Sequence, residues 1–136
     1  MAVLAFISPT ITLNSVDHSA DVAAAELDLQ GVELDTTNFG SAGWEEAIGG
    51  LKSFTLKLMF QQDFASTTVD DRLWALFNTV TTFALRPTSA SVGATNPEYQ
   101  GSVLVSQFTP MGGSVGDLLT MDVTWKGTGT VTRATS

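Results

Sequence analysis

The longest regular pattern of apolar and polar residues runs from Gly49 to Phe77 and changes its period part-way. Its first part has apolar residues at every second position from Phe54 to Phe60, which is typical of a strand with one buried face. Its second part has apolar residues at the three- and four-residue spacing of an amphipathic helix. We therefore predict a long strand followed by one short α-helix over residues 67–78.

Hydroxyl and acidic residues mark the start of the predicted helix. Ser66, Thr67 and Thr68 offer hydroxyls for an N-cap. Asp70 and Asp71 would then lie in the first turn, where the helix dipole favours negative charge. These residues predict a capped helix whose apolar stripe packs against neighbouring strands.

Most of the remaining chain alternates as strands do. Strands are predicted over Ala2–Ile7 with a continuation or restart at Ile11–Leu13, and over Val22–Leu29, Val80–Arg86, Glu98–Phe108 and Asp117–Lys126. The fold class that follows is mainly β, an antiparallel β-sandwich or partial barrel of about six to eight strands with one flanking α-helix. Residues 1–136 are predicted to form a single domain.

The alternation changes phase once, at Gly31. Leu27 and Leu29 are apolar before the glycine, whereas Val32 and Leu34 are apolar after it. A phase change of one residue at a glycine predicts a β-bulge or a sharp bend.

Two segments lack a regular pattern. Thr36–Gly50 is rich in glycine but contains large apolar residues, which argue against disorder because they gain free energy from burial. Two interpretations stay open: Trp44 and Ile48 fold back as a lid on the chain's own core, or the loop is an arm that orders on a neighbouring subunit. Residues 127–136 are predicted to form either a weak edge strand or a free C-terminal arm.

The composition narrows the possible functions. Only 15% of residues are charged, below the usual share of about a quarter, so much of the surface is either covered by other molecules or rich in hydroxyl groups. The net charge of −8 comes from 14 acidic and 6 scattered basic residues, which argues against tight DNA or RNA binding. No apolar run approaches membrane-spanning length, and we expect a soluble protein made in the cytoplasm.

Candidate catalytic groups are few. His18 is the single histidine; it lies in a polar turn, where we expect it to be solvated, and no nucleophile motif accompanies it. Asp70 and Asp71 are adjacent, so on a helix they would point in different directions. The chain has no cysteine, and neither Gly-Gly pair opens a phosphate-binding loop. We therefore expect no enzymatic activity, no cofactor and no metal site.

Several segments, taken in their order, resemble the major tail proteins, or tail tube proteins, of long-tailed bacteriophages. The segments are VELDTTNFG from Val32, WEEAIGGLKSFTLKLMFQQDF from Trp44, VDDRLW from Val69, TFALRPT from Thr82, TNPEYQGSVLV from Thr95, GSVGD from Gly113 and VTW from Val123. The resemblance covers residues 15–133, which is nearly the whole chain.

The resemblance implies both a fold and a structural role. Tail tube proteins of this type have a β-sandwich or partial barrel with one flanking helix. They assemble as six-membered rings whose strands join around a lumen, and the rings stack into a tube around a tape measure protein. DNA leaves the capsid through that tube. The implied partners are further copies of the chain, the tape measure protein, and the tail terminator and baseplate or tip proteins. The implied location is the virion tail, with no membrane insertion.

The resemblance gives a role to the apolar residues of the predicted loop. If the loop is an arm that reaches the adjacent ring, Phe39, Trp44 and Ile48 are its anchors, since large apolar groups dominate interface energy.

An acidic chain also suits a channel for DNA. Carboxylates that line a lumen repel phosphates, so DNA passes without specific binding. The candidates are the acidic residues that alternate with apolar neighbours on predicted strands: Glu26, Asp28, Glu33, Asp35 and Asp122. The alternative, that these residues face the outside of the tube, stays open.

A function from another class is also compatible with the sequence. A monomeric β-sandwich module that binds carbohydrate or peptide would use Trp44 and Tyr99 as stacking platforms. An enzyme of an unrecognised type is a third and weaker hypothesis.

Overall fold

The computed structural model describes residues 9–65 and 68–136, which form seven strands and one α-helix. The strands are β1 (Thr10–Leu13), β2 (Val16–Asp17), β3 (Val22–Asp35), β4 (Ala47–Gln61), β5 (Val80–Arg86), β6 (Glu98–Leu104) and β7 (Thr120–Ala134). Helix α1 (Val69–Leu76) connects β4 to β5. The predicted fold class, mainly β and antiparallel with one flanking helix, is confirmed. The predicted strand Ala2–Ile7 lies outside the described residues, and its restart at Ile11–Leu13 is confirmed as β1.

All seven strands belong to one antiparallel sheet in the order β2-β1-β5-β6-β7-β4-β3. Strand β7 changes partner half-way along its length. Its first half, Thr120–Lys126, pairs with β4, and its second half, from Gly127 to Ala134, pairs with β6. Because one strand belongs to both halves of the sheet, the two halves can fold against each other without a break in the hydrogen bonding.

The core lies between the two halves of the folded sheet. Strand β4 contributes the alternating residues of the predicted pattern, and β7 contributes three more, including the fully buried Trp125. The Trp125 indole Nε1 donates a 3.0 Å hydrogen bond to the Gln107 carbonyl, which satisfies its polar group inside the core. The buried apolar residues are Ile11, Leu13, Phe54, Leu56, Leu58, Phe60, Val69, Leu73, Phe83, Leu85, Val103, Val105, Met121, Val123 and Trp125.

Helix α1 packs Val69 and Leu73 against this core. Asp70 and Asp71 lie in its first turn, as predicted. The prediction of a hydroxyl cap is wrong for Thr68, because its hydroxyl donates to the Asp63 and Ala65 carbonyls and makes no cap bond with the helix. Ser66 and Thr67 lie outside the described residues. No helix in the described parts of the chain is long and apolar enough to cross a membrane.

Both segments predicted to be irregular contain more strand than expected. The loop ends at Glu46 and not at Gly50, since Ala47 pairs with Asp35 and Ile48 pairs with Leu34. The C-terminal residues to Ala134 belong to β7 and pair with β6, so they form part of the sheet and not a free arm.

The β-bulge predicted near Gly31 is present, but the extra residue belongs to the partner strand. Gly31 pairs with Lys52 and Glu33 pairs with Gly49, so two residues of β4 lie opposite the single residue Val32. Strand β3 therefore keeps its alternation. Val32 accordingly lies on the face of β3 opposite to that of Leu29.

The Phe54 side chain fills the point where β7 changes partner. Its ring centroid lies 5.9 Å from that of Phe83 on the other half of the sheet. A Cβ atom on Gly127 would overlap the Phe54 ring, and one on Gly101 would lie 3.3 Å from its Cζ atom. Glycine at 127 thus makes room for the ring where the two halves of the sheet separate.

We expect Gly127→Ala to destabilise the fold by about 1–3 kcal/mol, because the added methyl group overpacks a closed site. Denaturant unfolding monitored by tryptophan fluorescence measures the change. Gly31→Ala is the matched control, since a Cβ atom there meets nothing within 4 Å. Equal midpoints for the two variants would show that the Phe54 site relaxes freely.

Candidate functional site

Strands β3 and β4 continue well beyond the core as a two-stranded hairpin. The buried positions of β4 begin at Phe54, and every residue from Leu29 to Asp35 is exposed. We call residues 29–53 the hairpin extension and residues 36–46 the hairpin tip. The extension has solvent on both faces, although it is rich in apolar residues.

The hairpin tip is built by its own hydrogen bonds. The Thr37 hydroxyl accepts a 2.8 Å hydrogen bond from the Glu46 amide across the neck of the loop. The Asn38 side chain accepts from the Gly40 amide at 2.8 Å and caps a single 3-10 turn, Phe39–Ser41. Ala42 follows with a positive φ of 55°, which turns the chain back toward β4. The tip therefore has a defined conformation without support from the core.

The three apolar residues predicted as anchors all point into solvent. Phe39 is fully exposed, and Trp44 and Ile48 are 77% and 57% exposed. The interpretation of this segment as a lid on the chain's own core is therefore wrong. The remaining exposed apolar residues of the hairpin extension are Leu29, Val32, Leu34 and Leu51.

Leu34 and Ile48 form a cross-strand apolar pair on the hairpin extension. They lie directly opposite each other in the register of β3 and β4, so their side chains share a face. The Leu34 side chain also covers Gly50, where a Cβ atom would lie 3.2 Å from Leu34 Cδ1. This face of the extension is an apolar surface that water contacts in the isolated chain.

The charges around the hairpin tip are all negative. Glu33, Asp35, Glu45 and Glu46 lie on the hairpin, and no basic residue occurs between Gly31 and Leu51. Hydrogen bonds from Thr37, including one from its amide at 2.8 Å, lower the pKa of Asp35. The tip therefore combines large apolar side chains with an acidic border.

The structure brings three of the five candidate lumen carboxylates onto one surface. Strands β3, β4 and β7 are neighbours in the sheet, and each turns alternate residues away from the core. Glu26, Asp28 and Asp122 all lie on this outward face. Glu33 and Asp35 do not, because they lie beyond the bulge on the hairpin extension and alternate with Val32 and Leu34.

Sequence reasoning missed two lysines on this outward face of β3, β4 and β7. Lys57 pairs with Glu26 and lies between β3 and β7, and Lys126 pairs with Thr55. The alternation of β4 and β7 already placed both lysines opposite the core, but only the register shows that they lie beside the carboxylates. Three carboxylates and two ammonium groups leave this face with one net negative charge.

The outward face of the other half of the sheet carries mainly hydroxyl and amide groups. Thr82 pairs with Ser102, and Gln100 pairs with both Ala84 and Thr132. This face accounts for part of the low charge content, as the hydroxyl-rich alternative predicted.

His18 was expected to be solvated, and that prediction is wrong. The residue is buried, and its ring and that of Phe60 pack in a T-shaped arrangement with their centroids 6.1 Å apart. Its Nε2 atom has no hydrogen-bond partner among the described residues. Burial lowers the pKa of His18, the positive charge of Arg72 lowers it further, and Asp21 and Asp17 oppose the shift. The His18 ring therefore contributes to the packing around Phe60.

Within residues 9–65 and 68–136, no group of three His, Cys, Asp or Glu side chains is placed to hold a metal ion. The predicted interface and lumen residues lie on two surfaces, the hairpin extension and the charged outward face.

The fold defines a class of protein: a folded antiparallel sheet with one flanking helix and a projecting hairpin. Two solved structures with this fold are of gene transfer agent (GTA) particles. A chain of the "Virion of native gene transfer agent (GTA) particle" matches with a TM-score of 0.74 and 18% identity, over 93% of this chain and 95% of that one.

A chain of the "Tail of empty GTA particle computed with helical refinement, C6 symmetry" matches with a TM-score of 0.65 and 16% identity, over 84% of this chain and 82% of that one. No protein-family model and no curated protein matches the chain. The predicted resemblance to tail proteins is confirmed at the level of the fold.

The buried His18 gives the fold a pH dependence with a definite sign. Its folded-state pKa lies below the unfolded value of about 6.5, so the unfolded chain binds the proton first as the pH falls. The stability that His18 gives the folded state by remaining unprotonated is complete above about pH 6.5. It is lost as the pH falls through the folded-state pKa of His18.

We expect His18→Phe, which keeps a ring against Phe60, to lose less stability than the natural chain on acidification from about pH 7.5 to about pH 5. Urea unfolding at each pH measures the difference. Parallel losses in the two proteins would show that another group controls this range.

Proposed function

We propose that the chain is a structural subunit of a phage-type tail tube. In this proposal the subunits form hexameric rings, and the rings stack into a hollow tube in the virion tail through which DNA passes during infection. The observation that carries the proposal is the match over nearly the full length of both chains to a GTA virion chain. The C6 symmetry of the second matching particle supports a ring of six.

The free edge of β3 supports lateral association. Strand β3 has 14 residues and ends the strand order, so one of its edges has no strand partner within the described residues. A long open edge invites pairing with another chain. In a closed ring each copy would cover this edge of its neighbour, so strands would join around the lumen.

The hairpin extension supports contact between rings. The hairpin is ordered and exposes Phe39, Trp44 and Ile48. Apolar side chains of this size stabilise an interface when a partner covers them. We assign these three residues to the contact with the adjacent ring.

The outward face of β3, β4 and β7 is the proposed lumen surface. Glu26, Asp28 and Asp122 would repel DNA phosphates, while Lys57 and Lys126 reduce the net repulsion without reversing its sign. Glu33 and Asp35 belong to the border of the hairpin contact instead. A tape measure protein within the tube, and terminator and baseplate or tip proteins at its ends, complete the proposed set of partners.

The monomeric binding module has less support. Tyr99 lies in β6 opposite Leu85, on the inner side of the sheet, whereas Trp44 lies at the hairpin tip. The two rings therefore do not form one stacking platform for a carbohydrate.

Electron microscopy of the purified chain over a concentration series tests the proposal directly. We expect hollow rings with six subunits, which stack into tubes at high concentration. Solid filaments, or rings of another order, would contradict the hexameric tube.

We expect Trp44→Ala to raise the protein concentration needed for stacking by about thirtyfold, which corresponds to roughly 2 kcal/mol for a residue that dominates an interface. Light scattering and microscopy measure the threshold. Trp74→Ala is the matched control, because Trp74 on α1 is 72% exposed, close to the 77% of Trp44. An unchanged threshold for Trp44→Ala would remove the hairpin tip from the ring contact.

We expect the combined change Glu26→Gln, Asp28→Asn and Asp122→Asn to leave tubes intact but to lower DNA transfer per assembled tail by at least tenfold. The proposed lumen face would then carry only Lys57 and Lys126, and each ammonium group in contact with phosphate retards the DNA. Adding Lys57→Gln and Lys126→Gln to the same chain should restore transfer, because the face becomes neutral. Undiminished transfer by the triple variant would show that these residues do not line the path of DNA.

A further inference from the structure

A second group of exposed apolar residues lies at the other end of the sheet from the hairpin tip. Phe64 follows the end of β4, and Met111, Val115 and Leu118 precede the start of β7. We call these four residues the foot. None of them contributes to the core, and no predicted site included them.

The foot is attached firmly to the end of β4. The Gln62 amide donates a 3.0 Å hydrogen bond to the Leu119 carbonyl, and the Gln62 side chain donates a 2.8 Å hydrogen bond to the Pro110 carbonyl. Gln61 pairs with Thr120 at the last rung of the ladder. The loop that carries Met111, Val115 and Leu118 is therefore held against Gln62, and Phe64 lies two residues beyond Gln62 in the chain.

The tip and the foot lie at opposite ends of the same strand. Strand β4 has 15 residues from Ala47 to Gln61, so it spans roughly 50 Å at about 3.3 Å per residue. A contact between two unlike surfaces at opposite ends of a molecule is heterologous, and it repeats without closing when successive copies are related by translation. Such a contact adds copies along the direction of β4.

We propose that the hairpin tip of one copy binds the foot of the next copy. This inference rests on the proposed tail tube and names the surface that receives the tip. Phe39, Trp44 and Phe64 are aromatic, and each such side chain buries about 150–250 Å² when covered. Together with the aliphatic residues of both surfaces they reach the area of about 1,000 Å² or more that a specific interface needs.

The charges at the two ends predict how this contact responds to salt. Glu45 and Glu46 adjoin Trp44 at the tip, and Asp63 and Asp117 adjoin residues of the foot. Like charges oppose the approach of the two surfaces, and salt screens exposed charges over about 10 Å at 0.1 M. The binding of tip to foot therefore strengthens as the salt concentration rises, whereas a contact between opposite charges would weaken.

Disulfide cross-linking tests the pairing, because the chain has no cysteine of its own. Copies with Glu45→Cys at the tip are mixed with copies that carry Ser114→Cys at the foot, and the mixture is oxidised at high protein concentration. Both positions are exposed, and neither change removes an apolar residue of either surface. The control partner is Ser89→Cys, at an exposed serine in the loop between β5 and β6.

We expect the tip–foot disulfide to form at least ten times faster than the tip–control disulfide, and its yield to rise with salt. Met111→Ser in the foot chain should lower that yield. Equal rates for the foot and the control, a dominant tip–tip disulfide, or a yield that falls with salt would each overturn the proposal.

Microscopy of the same samples separates this inference from the proposed function. Hollow stacked rings without the tip–foot disulfide would retain the tube and reject the foot as its receiving surface. Tip–foot pairs that build solid fibres would retain the contact and reject the tube.

Discussion

The rest of the structure depends on one long strand that is hydrogen-bonded to both halves of the sheet. Strand β7 pairs with β4 up to Lys126 and with β6 from Gly127 onward. The halves must separate at that point, and the gap that opens between them is filled by the Phe54 ring, which contacts Phe83 on the far side. The same separation leaves the distal part of β4 with β3 as its partner, so the hairpin extension leaves the body of the protein there. A filled core and a projecting hairpin are thus two results of one change of strand partner.

The features that follow from local pattern could be predicted from the sequence. The alternation of β4 from Phe54 to Phe60 and the helical spacing after Val69 both depend on near neighbours, and both predictions are confirmed. Features that depend on distant pairing could not be predicted. The strand character of Ala47–Gly50 comes from its register with β3, since the segment is rich in glycine. The burial of His18 comes from Phe60, forty-two residues later in the chain. The grouping of Glu26 with Asp122, and of both with Lys57, likewise requires the order of the strands.

The distribution of apolar residues connects the fold to the proposed role. Low charge in a small domain has two simple explanations, a hydroxyl-rich surface or a surface covered by neighbours, and this chain shows features of each on different parts of the molecule. Thr82, Gln100 and Ser102 lie on an uncharged polar face, whereas the hairpin extension and the foot carry large apolar groups that the chain itself leaves uncovered. Because solvent contacts these groups in the isolated chain, the proposed association would release water from both ends of the sheet.

Because of the bulge opposite Val32, the number of residues in each strand of the hairpin determines which way the side chains near the tip face. Side chains of a strand alternate between faces, so removing the one extra residue of β4 would exchange the faces of every residue between the bulge and the tip on that strand. Adding one residue to each strand would lengthen the hairpin by about 3.3 Å and would also exchange its faces, whereas adding two to each would lengthen it by roughly 7 Å with the faces kept. The reach of the tip can therefore change in steps during evolution while its apolar residues stay on the same face, and insertions in pairs are the changes that such a hairpin tolerates.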